Sequence, residues 1–452
     1  MFRTAGFGSS SRFLVLLLVS LLVLLLSHSP APAARPEQGA PGTDPHWIGT
    51  WSAAPQPFLP GRLEIYRNRT LRLIAHASAG GTRVRIRVSN IFGDQPVRIG
   101  AAHIARRAAA ADIDPASDRT VTFLGRSSAT IPAGSLLVSD PVELALPALS
   151  DLAVSLFFPA PARAATLHLL ALQTSYASSE DSGDKTGEVK FPVSKTIDSW
   201  PFLSGVDIAA APGAAAIVAF GSSTTDGDGS TEDANHRWPD VLAERLQRES
   251  GRLTEIGVLN QGIIGNRLLS DSNSPGQTGG PFGAVLEKYG GALGAAGLAR
   301  FDRDVLSQAG VGYVILALGV NDILFPGSFV PASQTISALS LIEGNRQLLR
   351  RAHEKGIRVI ATTIPPFENA TFRQPVIHFY TPEKEAIRQQ VNAWIRSCGE
   401  FEGVIDFDEV LRDPGQPARI LPAYDSDDHL HANDQGYIAS GRVIPLSLFR
   451  AR

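Results

Sequence analysis

Residues 82–90 read TRVRIRVSN, and the apolar and charged positions alternate: Val84, Ile86 and Val88 face one way, Arg83, Arg85 and Arg87 the other. A period of two describes a strand with one buried face. Short runs of the same kind occur at 98–104, 120–124, 143–146, 151–158 and 166–173. Turn signals such as Gly80-Gly81, Gly93-Asp94 and Pro132-Ala133-Gly134 separate them. Many short strands with frequent turns predict a β-sandwich or jelly-roll-like domain over 46–178. The stretch 179–213 starts wholly polar or small, turns apolar at 200–208, and reads as an interdomain segment closed by Pro212-Gly213. Beyond it the pattern changes. Apolar runs fall at 216–220, 256–260, 313–318, 358–362 and 404–407. Helical patterns lie between several of them: one from Pro239 to about Arg248, one over 333–355 stopped by Gly356, and one over 382–398 stopped by Gly399. Strands alternating with helices predict a doubly wound α/β domain with a parallel sheet over 214–452.

The N-terminus adds a compartment. Arg3 and Arg12 precede or open a 14-residue apolar core, 13–26, and Ala31-Pro32-Ala33 offers a small-x-small cleavage site. A spanning helix needs about 20 apolar residues, so the pattern predicts a cleaved export signal over 1–34, with an uncleaved anchor as the alternative. Residues 35–45 are Pro/Gly-rich and read as a disordered tether. The expected location is extracytoplasmic, with no stable membrane insertion after cleavage. The formal net charge of −3 gives no basic surface for nucleic acid. A single cysteine, Cys398, excludes an intramolecular disulfide and a multi-cysteine metal site. The oligomeric state is not encoded in any pattern of this kind.

In an open α/β sheet, ligands bind beyond the carboxyl ends of the strands. Four polar segments fall there or near the C-terminus: Gly221-Ser222-Ser223, Gln261 through Asn266, Gly319-Val320-Asn321-Asp322, and Asp425 through His431. Together they offer a hydroxyl, glycine-loop N–H groups, a carboxamide, and a carboxylate with an imidazole, the parts that acyl transfer needs. Each has a plainer reading alone. Ser223 would be a turn former and Asn321-Asp322 a helix cap. Asp425, Asp427, Asp428, His429 and His431 have the composition of a metal cluster, but no other segment supplies histidines at matching spacing. Residues 226–232 resemble a calcium loop without its central glycine or terminal glutamate in register. The arginine row 83/85/87 reads as a solvated face, or as an anion site. The Gly/Ser-rich insertion 271–297 is expected as a rim loop shaping the pocket.

In order along 214–448, the four segments resemble the sequence blocks of the SGNH hydrolases, also called GDSL esterases. The resemblance implies a flavodoxin-like sheet and a serine esterase working through an acyl-enzyme. It implies a catalytic Ser223, Asp428 and His431, an oxyanion hole from the N–H groups of Ser223 and Gly265 and the Asn321 side chain, and no metal or organic cofactor. Ser222 stands where the family usually has aspartate, and Ala432 where proline is common after the histidine. A β-rich module before such a domain also looks like some secreted carbohydrate esterases. The expected substrate is therefore a small ester, with O-acetyl groups on carbohydrate foremost. A lipase or general carboxylesterase is the alternative within the class. A carbohydrate-binding or surface protein with an inactive hydrolase domain is the alternative outside it.

Overall fold

The computed structural model describes residues 45–58, 61, 63–272, 290–373 and 376–450. The expected export signal, residues 35–44 of the tether and residues 273–289 of the insertion lie outside them. No helix among the described residues is long and apolar enough to cross a membrane.

Beside smaller sheets, which include the strands Trp200–Pro201, Thr166–His168 and Gln56–Pro57, the first half is dominated by two antiparallel sheets. One runs in the order His46–Ser52, Leu203–Ala210, Gly81–Ser89, Leu136–Val138, with Val142–Leu146 also on Gly81–Ser89. The other runs Lys195–Ile197, Ser175–Ala177, Arg69–Ala77, Ser150–Phe158, Ala101–Ala109, Asp112–Ile113, with Arg119–Thr120 also on Ala101–Ala109. Ile48, Val84, Ile86 and Ile208 of the first share one core with Leu71, Leu73, Ile104, Leu152 and Val154 of the second. Two sheets burying their apolar faces together make a sandwich.

Two expectations are corrected here. The segment 179–213 is no linker: it supplies Lys195–Ile197 to one sheet and the central strand Leu203–Ala210 to the other. That strand is buried on both faces along Leu203–Ile208, so it lacks the alternation that marks a half-exposed strand. Nor is the arginine row a free solvated face. Arg85 and Arg87 each donate to the buried Asp207 of that strand, at 2.9 and 3.0 Å, and Arg83 faces Glu143 at 2.9 Å. Arg85 also lies over the Trp47 ring, 4.4 Å from its centroid.

The second half is built on five parallel strands: β1 (Ala215–Gly221), β2 (Ile256–Gly262), β3 (Val311–Ala317), β4 (Arg358–Thr362) and β5 (Gly403–Ile405). Their order is β2-β1-β3-β4-β5, the flavodoxin-like arrangement. Alternate residues of β1 enter opposite layers. Val218 and Phe220 pack toward Leu341 and Leu348 of helix Ala338–His353, while Ile217 and Ala219 pack toward Trp238, Leu242 and Leu246 of helix Trp238–Gln247. Helix Pro382–Ser397 completes the expected set, and Ser337 and Thr381 cap their helices by accepting from the N–H of Ser340 and Lys384.

An edge strand exposes unpaired backbone groups. Here β2 is covered by the sandwich. Ser78 Oγ accepts from the Val258 N–H at 2.8 Å, and Gln261 Nε2 donates to Ser52 Oγ at 2.6 Å. The contact is close because glycine lines it: a Cβ on Gly257 would lie 2.0 Å from the Gly49 oxygen. The described residues accordingly fall in one compact unit.

Candidate active site

Gly221 at the end of β1 registers against Gly262 of β2 and Ala317 of β3, so three of the four polar segments leave the sheet at one level. After Gly221 the chain enters a single helical turn, Ser223–Asp226, with Ser222 extended before it. The turn lies hard against the sheet. A Cβ on Gly221 would meet Thr225 Oγ1 at 2.0 Å, and one on Gly262 would meet the Asp226 nitrogen at 2.3 Å. Ser223 opens the turn, where a backbone N–H has no acceptor within its own helix.

The fourth segment comes from the far end of the chain. An antiparallel bridge between Asp425 and Ala432, and a 3.1 Å bond from the Ser426 N–H to the His431 oxygen, pinch residues 425–432 into a tight loop. Asp427 and His429 adopt φ of 70° and 61° within it. Such strain persists where the surroundings over-determine it. Asp425 Oδ1 does so by accepting the N–H groups of both residues, at 2.9 and 3.0 Å.

This loop delivers the imidazole. Asp428 Oδ1 accepts from the N–H groups of Leu430 and His431 at 2.9 and 2.8 Å, and Oδ2 accepts from His431 Nδ1 at 2.6 Å. With Nδ1 facing a carboxylate, the other ring nitrogen is free to accept, and Nε2 lies 2.8 Å from Ser223 Oγ. Ser222 is fully buried and its Oγ has no partner among the described residues. The geometry thus separates two neighbouring serines: only Ser223 meets the imidazole.

The charges follow from the packing. Burial opposes ionisation of Asp428, but the hydrogen bonds and charge of His431 hold its pKa well below the usual carboxylate range. Burial also works against a charged His431. Asp228, whose Oδ2 lies 3.7 Å from Nε2, outweighs it together with Asp428 and Asp425, and the His431 pKa is raised. A base of this kind can take a proton from Oγ and return it to a leaving group.

Gly265 sits at φ 70°, and among the described residues nothing accepts its N–H. Its neighbours are both held. Ile264 donates to Asp226 Oδ2 at 3.1 Å, and the Asn266 oxygen accepts one amide hydrogen of Asn321 at 3.0 Å, leaving the other free. Asp322, beside Asn321, accepts from Leu268 and Leu269 at 2.7 and 2.9 Å; burial pushes its carboxyl up to about 6 despite those bonds. Arg300, wholly buried, donates to the Gly221 and Gln261 oxygens and to Asn266 Oδ1, and pairs with Asp304 at 3.0 Å. All four expected segments are therefore joined by hydrogen bonds.

Asp226, Asp228, Arg300 and His168 also belong to this neighbourhood and were not foreseen. Asp226 has a signal in hindsight: three residues after Ser223, it shares a helical turn with it. His168 and Arg300 lie at long range and carry none. No group of three or more His, Cys, Asp or Glu among the described residues is arranged to hold a metal ion.

A doubly wound parallel sheet that carries a serine–imidazole–carboxylate chain beyond its carboxyl edge belongs to a serine hydrolase. The family model of GDSL-like lipase/acylhydrolase proteins matches residues 217–444, and the chain belongs to that family. No curated protein matches it. Solved structures similar to it include an aryl esterase from M. smegmatis, at 18% identity over 51% of this chain and 95% of that one, with a TM-score of 0.36. A carbohydrate acetylesterase from Sinorhizobium meliloti is 15% identical over 50% of this chain and 94% of its own, with a TM-score of 0.35. A GDSL-like lipase from Bacteroides thetaiotaomicron is 15% identical over 52% and 87%, with a TM-score of 0.33.

Proposed function

We propose that this enzyme hydrolyses carboxylic esters through an acyl-enzyme on Ser223. The observation that carries the reading is the unbroken chain from Ser223 Oγ through His431 to Asp428, 2.8 and 2.6 Å per link. Oγ attacks the ester carbonyl as Nε2 takes its proton. The tetrahedral oxyanion is met by the N–H groups of Ser223 and Gly265 and by the free amide hydrogen of Asn321. His431 returns the proton to the departing alcohol, and water repeats the sequence on the acyl-enzyme. Ser223 is 4% and Asn321 3% exposed, which favours a short acyl group; O-acetyl groups on carbohydrate are the substrates we propose first. The apolar core at 13–26 supports placing the reaction outside the cytoplasm.

The test is hydrolysis of acetyl, butyryl and octanoyl esters and of acetylated polysaccharide by the full chain and by Ser223→Ala. Hydrolysis by the native protein, highest on acetyl esters and abolished in the variant, is the expected result. Equal turnover by Ser223→Ala overturns the mechanism, and a preference for octanoyl esters overturns the short acyl group.

A further inference from the structure

A side chain of the N-terminal half reaches the nucleophile turn itself. His168, in strand Thr166–His168, is 3% exposed. Its Nδ1 lies 2.9 Å from the Ala54 carbonyl oxygen and its Nε2 2.9 Å from Asp226 Oδ1. Both partners are acceptors, so both ring nitrogens donate and the ring is an imidazolium. Burial alone would discharge it, but the charge of Asp226 and its hydrogen bond outweigh burial, and the pKa of His168 is raised. The second oxygen of Asp226 accepts the N–H of Ile264 at 3.1 Å. Ile264 immediately precedes Gly265, whose left-handed backbone (φ 70°) sets where its N–H points. Asp226 itself closes the helical turn opened by Ser223. One carboxylate therefore spans the nucleophile turn and the Gly265 loop, and a cation from the sandwich fixes it.

We propose that His168 and Asp226 are positioning residues: the sandwich, through His168, holds Asp226 so that its other oxygen fixes the Ile264 N–H and with it the oxyanion donor Gly265. This rests on the reading of Ser223 and Gly265 given above. It assigns the N-terminal half a part in catalysis without any contact to substrate. A peptide group misplaced by 1 Å far from the reacting atoms can cost about 10²-fold in rate.

Isosteric change separates geometry from simple damage. In Asp226→Asn, the amide oxygen can still accept from Ile264, while the amide nitrogen donates to Nε2 of a neutral His168 whose Nδ1 still donates to Ala54. In Asp226→Ala and His168→Phe the link is gone. His168→Gln keeps the bond to Asp226 and loses the one to Ala54. Each variant is assayed on an acetyl ester, with active sites counted by fluorophosphonate titration so that unfolded protein does not enter kcat. Asp226→Ala and His168→Phe are expected to lower kcat per site by about 10²-fold with KM unchanged, Asp226→Asn to stay within about tenfold of wild type, and His168→Gln to fall between. Wild-type kcat per site in His168→Phe or His168→Gln, or a loss in Asp226→Asn as large as in Asp226→Ala, overturns the proposal. Turnover by Ser223→Ala in the same assay would instead overturn the underlying reading.

Discussion

The molecule holds two imidazole–carboxylate pairs within reach of one helical turn, and they are set for opposite tasks. In the loop near the C-terminus, His431 gives Nδ1 to Asp428 and turns Nε2 to the Ser223 hydroxyl. In the sandwich, His168 has an acceptor on each nitrogen, Ala54 on one side and Asp226 on the other. The first ring has a nitrogen left with which to exchange a proton. The second has an acceptor at each nitrogen and, in the proposal above, stays a cation that orients Asp226. Both rings are buried and both have raised pKa values, so neither burial nor the direction of that shift separates them. What separates them is the partner of the second nitrogen, a hydroxyl in one and a carbonyl in the other.

The comparison breaks most visibly at the carboxylates. Asp428→Asn places an amide where His431 Nδ1 must donate. The ring is driven to the tautomer whose Nε2 carries the proton, and kcat is expected to fall by about 10⁴-fold with the fold intact. The same substitution at Asp226 is expected to stay within about tenfold of wild type, because the ring it faces, His168, exchanges no proton with substrate and either tautomer leaves the Ile264 N–H held. Steady-state kinetics with circular dichroism check the contrast; similar losses at both positions would erase it. Next in size is Asn321→Ala, which removes one proposed oxyanion donor and should cost about 10²–10³ in kcat, or about 2.7–4 kcal/mol. An unchanged kcat would remove Asn321 from the oxyanion hole.

The smallest effect concerns pH. In the proposed mechanism catalysis needs neutral His431, so kcat/KM is expected to rise with pH through the pKa of that ring. Asp228, 3.7 Å from Nε2, favours the charged ring and so places the acid limb above the ordinary imidazole value. Asp228→Asn removes that charge and should move the limb to lower pH, raising activity on the acid side. A pH–rate profile with the limb unmoved would show that Asp228 does not act on His431.

Much of the hydrolase half was legible because its signals are local. Apolar runs, helix stops at Gly356 and Gly399, and polar segments after strands all sit within a few residues of one another. Ser223, Gly265, Asn321, Asp428 and His431 were read from those segments and their order, and the structure brings the segments together. The strand Leu203–Ala210 was missed because full burial hides the two-residue period, and the arginine row was misread because its partner Asp207 lies 120 residues further along. His168 escaped for the same reason: its partner Asp226 is 58 residues away in another half of the chain. Pairings of buried charge across elements leave no spacing to read.

The central claim is that Ser223, and not its neighbour Ser222, is the nucleophile. The most direct measurement is reaction of the native protein with a fluorophosphonate, followed by mass spectrometry of the peptide spanning 221–227. One adduct per chain on Ser223, absent in Ser223→Ala and retained in Ser222→Ala, is the predicted result. An adduct on Ser222, or full labelling of Ser223→Ala, would contradict the account.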